Sequence, residues 1–105
     1  GEFPLWLTPE QCIILPISER FNDYAKKVLE SFNYYDIRGL IDLRDEKIGR
    51  KIRDAEVKKI PFMVIIGEKE QESATLSIRK HGEGDLGSMT VEQFAEFIKE
   101  QSKIN

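Results

Sequence analysis

The chain has 105 residues, one cysteine, one histidine and a net charge of −3, which is the length of a single domain able to bury roughly 60–70% of its unfolded surface. Apolar residues at 40% and charged residues at 33% describe a globular domain and not a disordered tail. No apolar run approaches the ~20 residues of a membrane-spanning helix, no basic-then-apolar leader is visible, and an internal disulfide or multi-cysteine metal site is excluded. The start at Gly1 instead of methionine suggests a piece excised from something longer.

Residues 1–11 carry Pro4 and Pro9 among Phe3, Leu5, Trp6 and Leu7. The prolines argue against helix, and the apolar groups predict an extended arm that docks on a surface. The domain proper is expected over residues 12–105. Cys12-Ile13-Ile14-Leu15-Pro16-Ile17 is a continuous apolar run, the pattern of a strand buried on both faces. Phe21, Ala25, Val28, Leu29 and Phe32 then fall on one helical face. Ile37–Leu43 reads as a second strand in spite of Gly39. Asp45–Lys58 reads as a second helix, stopped by Pro61, and Phe62–Ile66 as a third strand.

The pattern changes after Gly67. Glu68–Ser73 reads as a charged connection. From Ala74 to Arg79 the apolar residues alternate with polar ones, so this strand is buried on one face, and the short connection makes it antiparallel to its predecessor. Thr75, Ser77 and Arg79 share the wetter face. A short fifth strand near Leu86 and a last helix opened by a Thr90/Gln93 capping box complete the chain. The order is β-α-β-α-β-β-(β)-α. It predicts a three-layer α/β/α fold with a five-stranded, mostly parallel mixed sheet flanked by three helices.

Charge is unevenly placed. Arg44, Lys47, Arg50, Lys51, Arg53, Lys58 and Lys59 hold seven of the sixteen basic residues against four acids, a stretch of net +3. Such a stretch is either a patch facing an anion or a solvated helix face laced with ion pairs. Gly82-Glu83-Gly84-Asp85-Leu86-Gly87 spells a dinucleotide fingerprint, but these 105 residues hold neither the second parallel strand nor the later acid it needs, so it is expected to be a tight turn. A small flavodoxin-like or receiver-like enzyme or signalling domain is a third reading, which the loop after the first strand disfavours. The first strand is followed by Ser18-Glu19-Arg20, with neither acids in a cluster nor glycines. Cys12 reads as a small core residue. His81 reads as a loop histidine or a phosphate contact. Tyr34 and Tyr35 read as a helix-end packing pair or a stacking platform for bases. No constellation of an active site is present.

Taken together, several segments resemble one family. Pro4-Leu5-Trp6-Leu7-Thr8-Pro9-Glu10-Gln11, the helix motif Asp42-Leu43-Arg44-Asp45-Glu46-Lys47-Ile48-Gly49-Arg50-Lys51-Ile52-Arg53, Lys59-Ile60-Pro61-Phe62-Met63, Gly67-Glu68-Lys69-Glu70 and Asp85-Leu86-Gly87-Ser88-Met89 are similar to the C-terminal anticodon-binding domain of the threonyl-tRNA synthetases, which are class II enzymes. The helix motif alone is shared with prolyl, histidyl and glycyl relatives. The first and last segments favour the threonyl branch. The corresponding domain of a prolyl, histidyl or glycyl synthetase, or a free-standing RNA-binding paralogue, stays open as the other reading.

The resemblance implies a non-catalytic module whose parent joins threonine to tRNA with ATP, magnesium and a catalytic zinc, none of them held here. It implies a cytoplasmic protein with tRNA as partner, not DNA or a membrane, monomeric as a fragment and dimeric through the parent's catalytic core. Threonine codons are A-C-N, so the anticodon ends in G-U. RNA sequence is read on unpaired bases. A carboxylate accepts the two adjacent N–H groups of guanine, and Arg or Lys donates to base carbonyls. The resemblance places base contacts at Glu70, Arg79, Asp45 and Lys59, with Glu70 and Arg79 as a carboxylate–guanidinium pair for the guanine, and backbone contacts at Arg44, Lys47 and Arg53. Relatives often carry Asn at the Asp45 position and Arg at the Lys59 position.

Overall fold

A computed structural model of the chain describes residues 10–104; the expected arm over residues 1–9 lies outside them. The strands are β1 (Cys12–Pro16), β2 (Gly39–Ile41), β3 (Phe62–Ile66), β4 (Leu76–Lys80) and β5 (Gly84–Met89). The helices are α1 (Asn22–Tyr34, preceded by a 3₁₀ turn at Glu19–Phe21), α2 (Ile48–Val57), α3 (Glu68–Ser73) and α4 (Val91–Ile104). The sheet order is β2-β1-β3-β4-β5. The β1 pairings with β2 and β3 are parallel, and those of β3 with β4 and of β4 with β5 are antiparallel. The expected mixed sheet is present, with its fifth strand six residues long.

Two cores follow from strand alternation. Cys12, Ile14, Phe62, Val64, Ile66, Leu76 and Ile78 point to one face, where Phe21, Ala25, Val28 and Phe32 of the α1 region and Phe94 and Ile98 of α4 bury them. Phe94 is the hinge of this packing, with ring centroids 5.3 Å from Phe32 and 6.1 Å from Phe62. Ile13, Leu15 and Met63 point the other way, where Ala55, Ile48 and Ile52 of α2 meet them. Burial pushes the Cys12 thiol up to about 12, in keeping with an inert core residue.

Helix ends explain why the loops run where they do. After α1, Ile37 N–H donates to Phe32 C=O and Asp36 N–H to Asn33 C=O. After α2, Ile60 N–H donates to Ala55 C=O and Lys59 N–H to Glu56 C=O. Both are Schellman endings, which need a left-handed residue. Asp36 and Lys59 supply it, each at φ 59°. Gly39 admits the close approach of α1 to β2, since a Cβ there would lie 3.3 Å from Cys12 Sγ and 3.4 Å from Phe32.

Three expectations need correction. Glu68–Ser73 is a helix, not a bare connection, so four helices flank the sheet. Its first turn is held by Glu70 Oε1, which accepts the Gly67 amide at 2.8 Å, and six residues are too few to show an apolar periodicity. The second helix starts at Ile48 and not at Asp45, because Asp42 accepts the Arg44 amide at 3.1 Å and holds the chain in a turn. The second strand keeps only Gly39–Ile41. Gln11, grouped with the arm by its sequence, is 4% exposed and bonds to both neighbours. Its amide donates to Arg38 C=O and its carbonyl accepts the Phe62 amide.

Candidate nucleic-acid interface

Helix α2 covers only β1 and β3 on its side of the sheet. Among the described residues, no helix packs on the same face of β4 and β5. Register places Arg79 beside Met63 and Ser77 beside Ile65 on β3, and Arg79 beside Asp85 and Ser77 beside Ser88 on β5. Arg79 and Ser77 are half-buried, and Asp85 and Ser88 are exposed. The alternation over Thr75, Ser77 and Arg79 therefore marks an open sheet face.

Arg79 faces Asp85 directly across the ladder but forms no ion pair with it. Asp85 Oδ1 instead accepts the Gly87 amide at 2.8 Å, fixing a bulge between the two strands. Arg79 Nε is buried with no hydrogen-bond partner among the described residues. The residue as a whole is half-buried, and its guanidinium carries five donors.

The flank of α2 closes one side of this face. Gly49, Ile52, Arg53, Glu56 and Val57 recur at helical spacing and, with His81 at the end of β4, line a groove of about 440 Å³ open to solvent. No Cβ contact within 4 Å awaits a side chain at Gly49, so backbone of α2 is bare there. Val57 is 75% exposed, a large apolar side chain in water beside the groove.

α2 runs opposite to the parallel strands, so its first turns lie at their carboxyl ends. Lys51 shows this. It is 3% exposed, and its Nζ donates to Pro16 C=O at 2.9 Å and to Asp42 C=O at 3.1 Å. A buried ammonium so placed locks α2 across the ends of β1 and β2. Asp45 and Lys47 sit in the exposed loop at that end, and Lys47 caps α2 with no side-chain hydrogen bond. Glu70 lies at the same end, after β3. Lys59 lies at the opposite end, about 15 Å away along the helix, two residues before Pro61, whose carbonyl accepts the His81 amide at 2.9 Å.

The expected site residues therefore fall into two groups. Asp45, Lys47 and Glu70 are at the carboxyl end of the strands. Lys59, Arg79 and His81 are at the other end, and Arg53 lies between. Glu70 and Arg79 do not form the close pair expected from sequence. Arg79 is level with Met63, and the Gly67 amide that Glu70 holds is four residues, about 13 Å, farther along β3. Arg44 is spent within the protein. Its guanidinium donates to both oxygens of Asp42 at 3.0 and 2.9 Å and to Asp54 Oδ2 at 2.8 Å. Arg44 holds both carboxyls below the usual range and is itself pushed upward. By contrast, Lys47, Arg53 and Lys59 have no ion pair among the described residues. Tyr34 and Tyr35 pack edge to face at 5.1 Å at the end of α1, on the other layer, so they are not part of this surface. Sequence reasoning missed Glu56 and Val57 as groove residues. Their i, i+3, i+4 spacing with Ile52, Arg53 and Gly49 was the available signal.

Residues 11–101 match the family model described as the anticodon binding domain. The chain belongs to the anticodon-binding domain family. Among curated relatives, the threonine–tRNA ligase of Cytophaga hutchinsonii is 60% identical over 101 residues and that of Bacteroides fragilis 57%, each alignment covering 96% of this chain and 16% of the relative. The chain thus spans about a sixth of the length of these relatives. Among solved structures, the RNA binding domain of threonyl-tRNA synthetase from Cryptosporidium parvum superimposes with a TM-score of 0.90 at 27% identity, covering 96% of this chain and 26% of that one. A prolyl-tRNA synthetase from the same organism matches at 0.83 and 19% identity over 96% of this chain and 22% of that one, which shows the shared fold. The anticodon-binding fold accounts for the five-stranded sheet seen here, with one face half-covered by α2.

Proposed function

We propose that this domain is the anticodon reader of a threonine–tRNA ligase, binding the unpaired loop of threonine tRNA and selecting its G-U. The observation that carries the reading is the uncovered face of β4 and β5. It carries the half-buried Arg79 beside a helix whose Arg53, Lys47 and Lys59 have no ion pair among the described residues. Phosphate neutralisation by such cations supplies affinity, and base-edge contacts supply selectivity.

Glu70 keeps one carboxylate oxygen on the Gly67 amide and offers the other to base N–H groups. Arg79 donates to a base carbonyl. Asp45 and Lys59 flank them at the two ends of α2, so the loop RNA lies along this helix. Lys47 and Arg53 contact phosphate. Arg44, neutralised by two carboxylates, contributes least to the salt dependence.

The aminoacylation that this reading gives the parent, with its ATP, magnesium and zinc, belongs to sequence beyond these 105 residues. No group of three or more His, Cys, Asp or Glu among the described residues is placed to hold a metal. No helix among the described residues is long and apolar enough to cross a membrane. A cytoplasmic, tRNA-bound parent dimer and a monomeric isolated domain complete the proposal.

The test is an NMR titration of the chain with a threonine anticodon stem-loop and a control in which the G is A. Shifts at Glu70 and Arg79 with the first loop and not the second are expected. Equal, salt-sensitive shifts with both would sink the selective role and leave a generic basic surface.

A further inference from the structure

Helix α3 carries Glu70, yet none of its six residues is buried. A helix this short does not hold itself, and no apolar stripe presses it against the sheet. Its placement therefore rests on its two ends. At the start, Glu70 Oε1 accepts the Gly67 amide at 2.8 Å. A Cβ at Gly67 would stand 3.1 Å from that oxygen, so the glycine admits the contact. At the finish, the main-chain oxygen of Glu70 accepts the amides of Ala74 and Thr75. Ala74 is left-handed at φ 55°, and the chain turns there into β4.

A side chain from another layer reaches this turn. Tyr24, in the first turn of α1, donates its hydroxyl to Thr75 C=O at 3.1 Å. Its ring packs against the larger core, so the hydroxyl is carried on a fixed body. Burial first, and the Glu70 charge second, push the hydroxyl upward, and it stays a donor at neutral pH. Thr75 passes the constraint back into α3. Its amide donates to Glu70 C=O at 3.0 Å. Its Oγ1 lies 2.8 Å from Ser73 Oγ, which donates to Lys69 C=O at 2.7 Å. The Arg20–Glu68 pair also joins the α1 region to α3. It is 3.8 Å long and exposed on both sides, and such pairs contribute little.

We propose that Tyr24 is a positioning residue for anticodon reading: its hydroxyl fixes the end of α3 and so aims the free carboxylate oxygen of Glu70. Tyr24 touches no base itself. A carboxylate selects a base by the direction of its hydrogen bonds, so it must be held at a set angle. Without the Tyr24 hydroxyl, α3 keeps its start at Gly67 and rocks about that end, and the carboxylate spreads over directions that suit no base in particular. The inference rests on the anticodon-reading proposal and on the place of Glu70 in it.

The experiment uses Tyr24→Phe, which keeps the ring and removes only the hydroxyl. The whole chain is titrated with threonine anticodon stem-loops carrying guanosine or adenosine at the central anticodon position. The preference for guanosine should fall about fivefold, the usual net worth of one hydrogen bond. Affinity for the adenosine loop and its salt dependence should hold. In a Glu70→Gln background the same change should cost no further preference, because residues that act through one another are not additive. In the free Tyr24→Phe chain the Gln71 and Thr75 amides should exchange faster, with the Ile78 amide of β4 unchanged. A guanosine preference that survives Tyr24→Phe and is lost in Glu70→Gln overturns the proposal and leaves anticodon reading standing. An equal loss for both loops, or a full further loss in the Glu70→Gln background, also overturns it. Equal affinity of the unaltered chain for both loops, or a preference untouched by Glu70→Gln, removes the role of Glu70 and the proposal together.

Discussion

Glu70 Oε1 accepts the Gly67 amide at 2.8 Å, so the carboxylate proposed to read RNA also holds the first turn of α3. The two roles are separable by chemistry. Glu70→Gln keeps an acceptor for Gly67 and is itself a capping-box residue. It is expected to leave stability within about 0.5 kcal/mol while weakening stem-loop binding by about 1–3 kcal/mol, the usual worth of a specific base contact. Glu70→Ala is expected to lose the base contact and also about 1 kcal/mol of stability, as other cap deletions do. Urea denaturation beside RNA titration measures both. RNA affinity that follows stability in the two variants, with no separate loss in Gln, would leave Glu70 a purely structural residue.

The same residue shows what the sequence carried and what it did not. The alternating apolar pattern of β4 and the continuous runs of β1 and β3 were legible, because burial on one or two faces writes itself into the period. The Thr90/Gln93 box was legible for the same local reason, and both its hydrogen bonds are present at 2.9 and 3.1 Å. Helix α3 was not, since its start depends on Glu70 reaching back to a glycine amide. The distance between Glu70 and Arg79 was not legible either. Nine residues apart in sequence, they sit toward opposite ends of the β3/β4 hairpin, and only the register shows this. Nor could sequence show that Arg44 is neutralised by Asp42 and Asp54 while Lys47, three residues on, is not.

Gly49 gives a test in which stability and binding move in opposite directions. It lies in the first turn of α2 and lines the groove, and a Cβ there meets nothing within 4 Å. Glycine in a helix costs up to about 1 kcal/mol relative to alanine. Gly49→Ala is expected to raise stability by about 0.5–1 kcal/mol and to weaken stem-loop binding, because the added methyl group stands where RNA approaches the backbone. Unchanged affinity in the more stable variant would show that the groove is not approached closely at this point.

The Asp42–Arg44 pair sets an acid limit on the loop before α2. The hydrogen bonds from the Arg44 side chain are the main cause that holds the Asp42 carboxyl low, against the desolvation that raises it. A carboxyl depressed in the folded state adds stability above its unfolded value, ~3.9. That contribution is lost as pH falls through the folded value. In Arg44→Gln the Asp42 carboxyl is expected to titrate at higher pH, so acid unfolding begins at higher pH than in the unaltered chain. Carboxyl ¹³C shifts followed with pH report the first, and circular dichroism the second. Coincident acid limits in the two chains would mean that the pair contributes nothing to folding.

Lys59 joins backbone strain to charge. Its φ of 59° is the left-handed ending that α2 requires, and a non-glycine residue there costs about 1–2 kcal/mol. The helix ending accounts for the conformation, and it does not account for a charged residue where glycine would suit the backbone better. Lys59→Gly relieves the strain and frees the unfolded chain, for a net gain of about 0.5–1 kcal/mol. Lys59→Asn tolerates the same conformation without the gain. Both remove one cation, so both are expected to weaken stem-loop binding alike and to reduce the slope of log affinity against log salt by about 1. Measuring the slope separates the two explanations for the residue. A slope that falls in both variants assigns Lys59 to the RNA whatever happens to stability. A slope that stays fixed while Lys59→Gly gains stability means that nothing at the interface uses the charge, and the strained lysine has no role in binding.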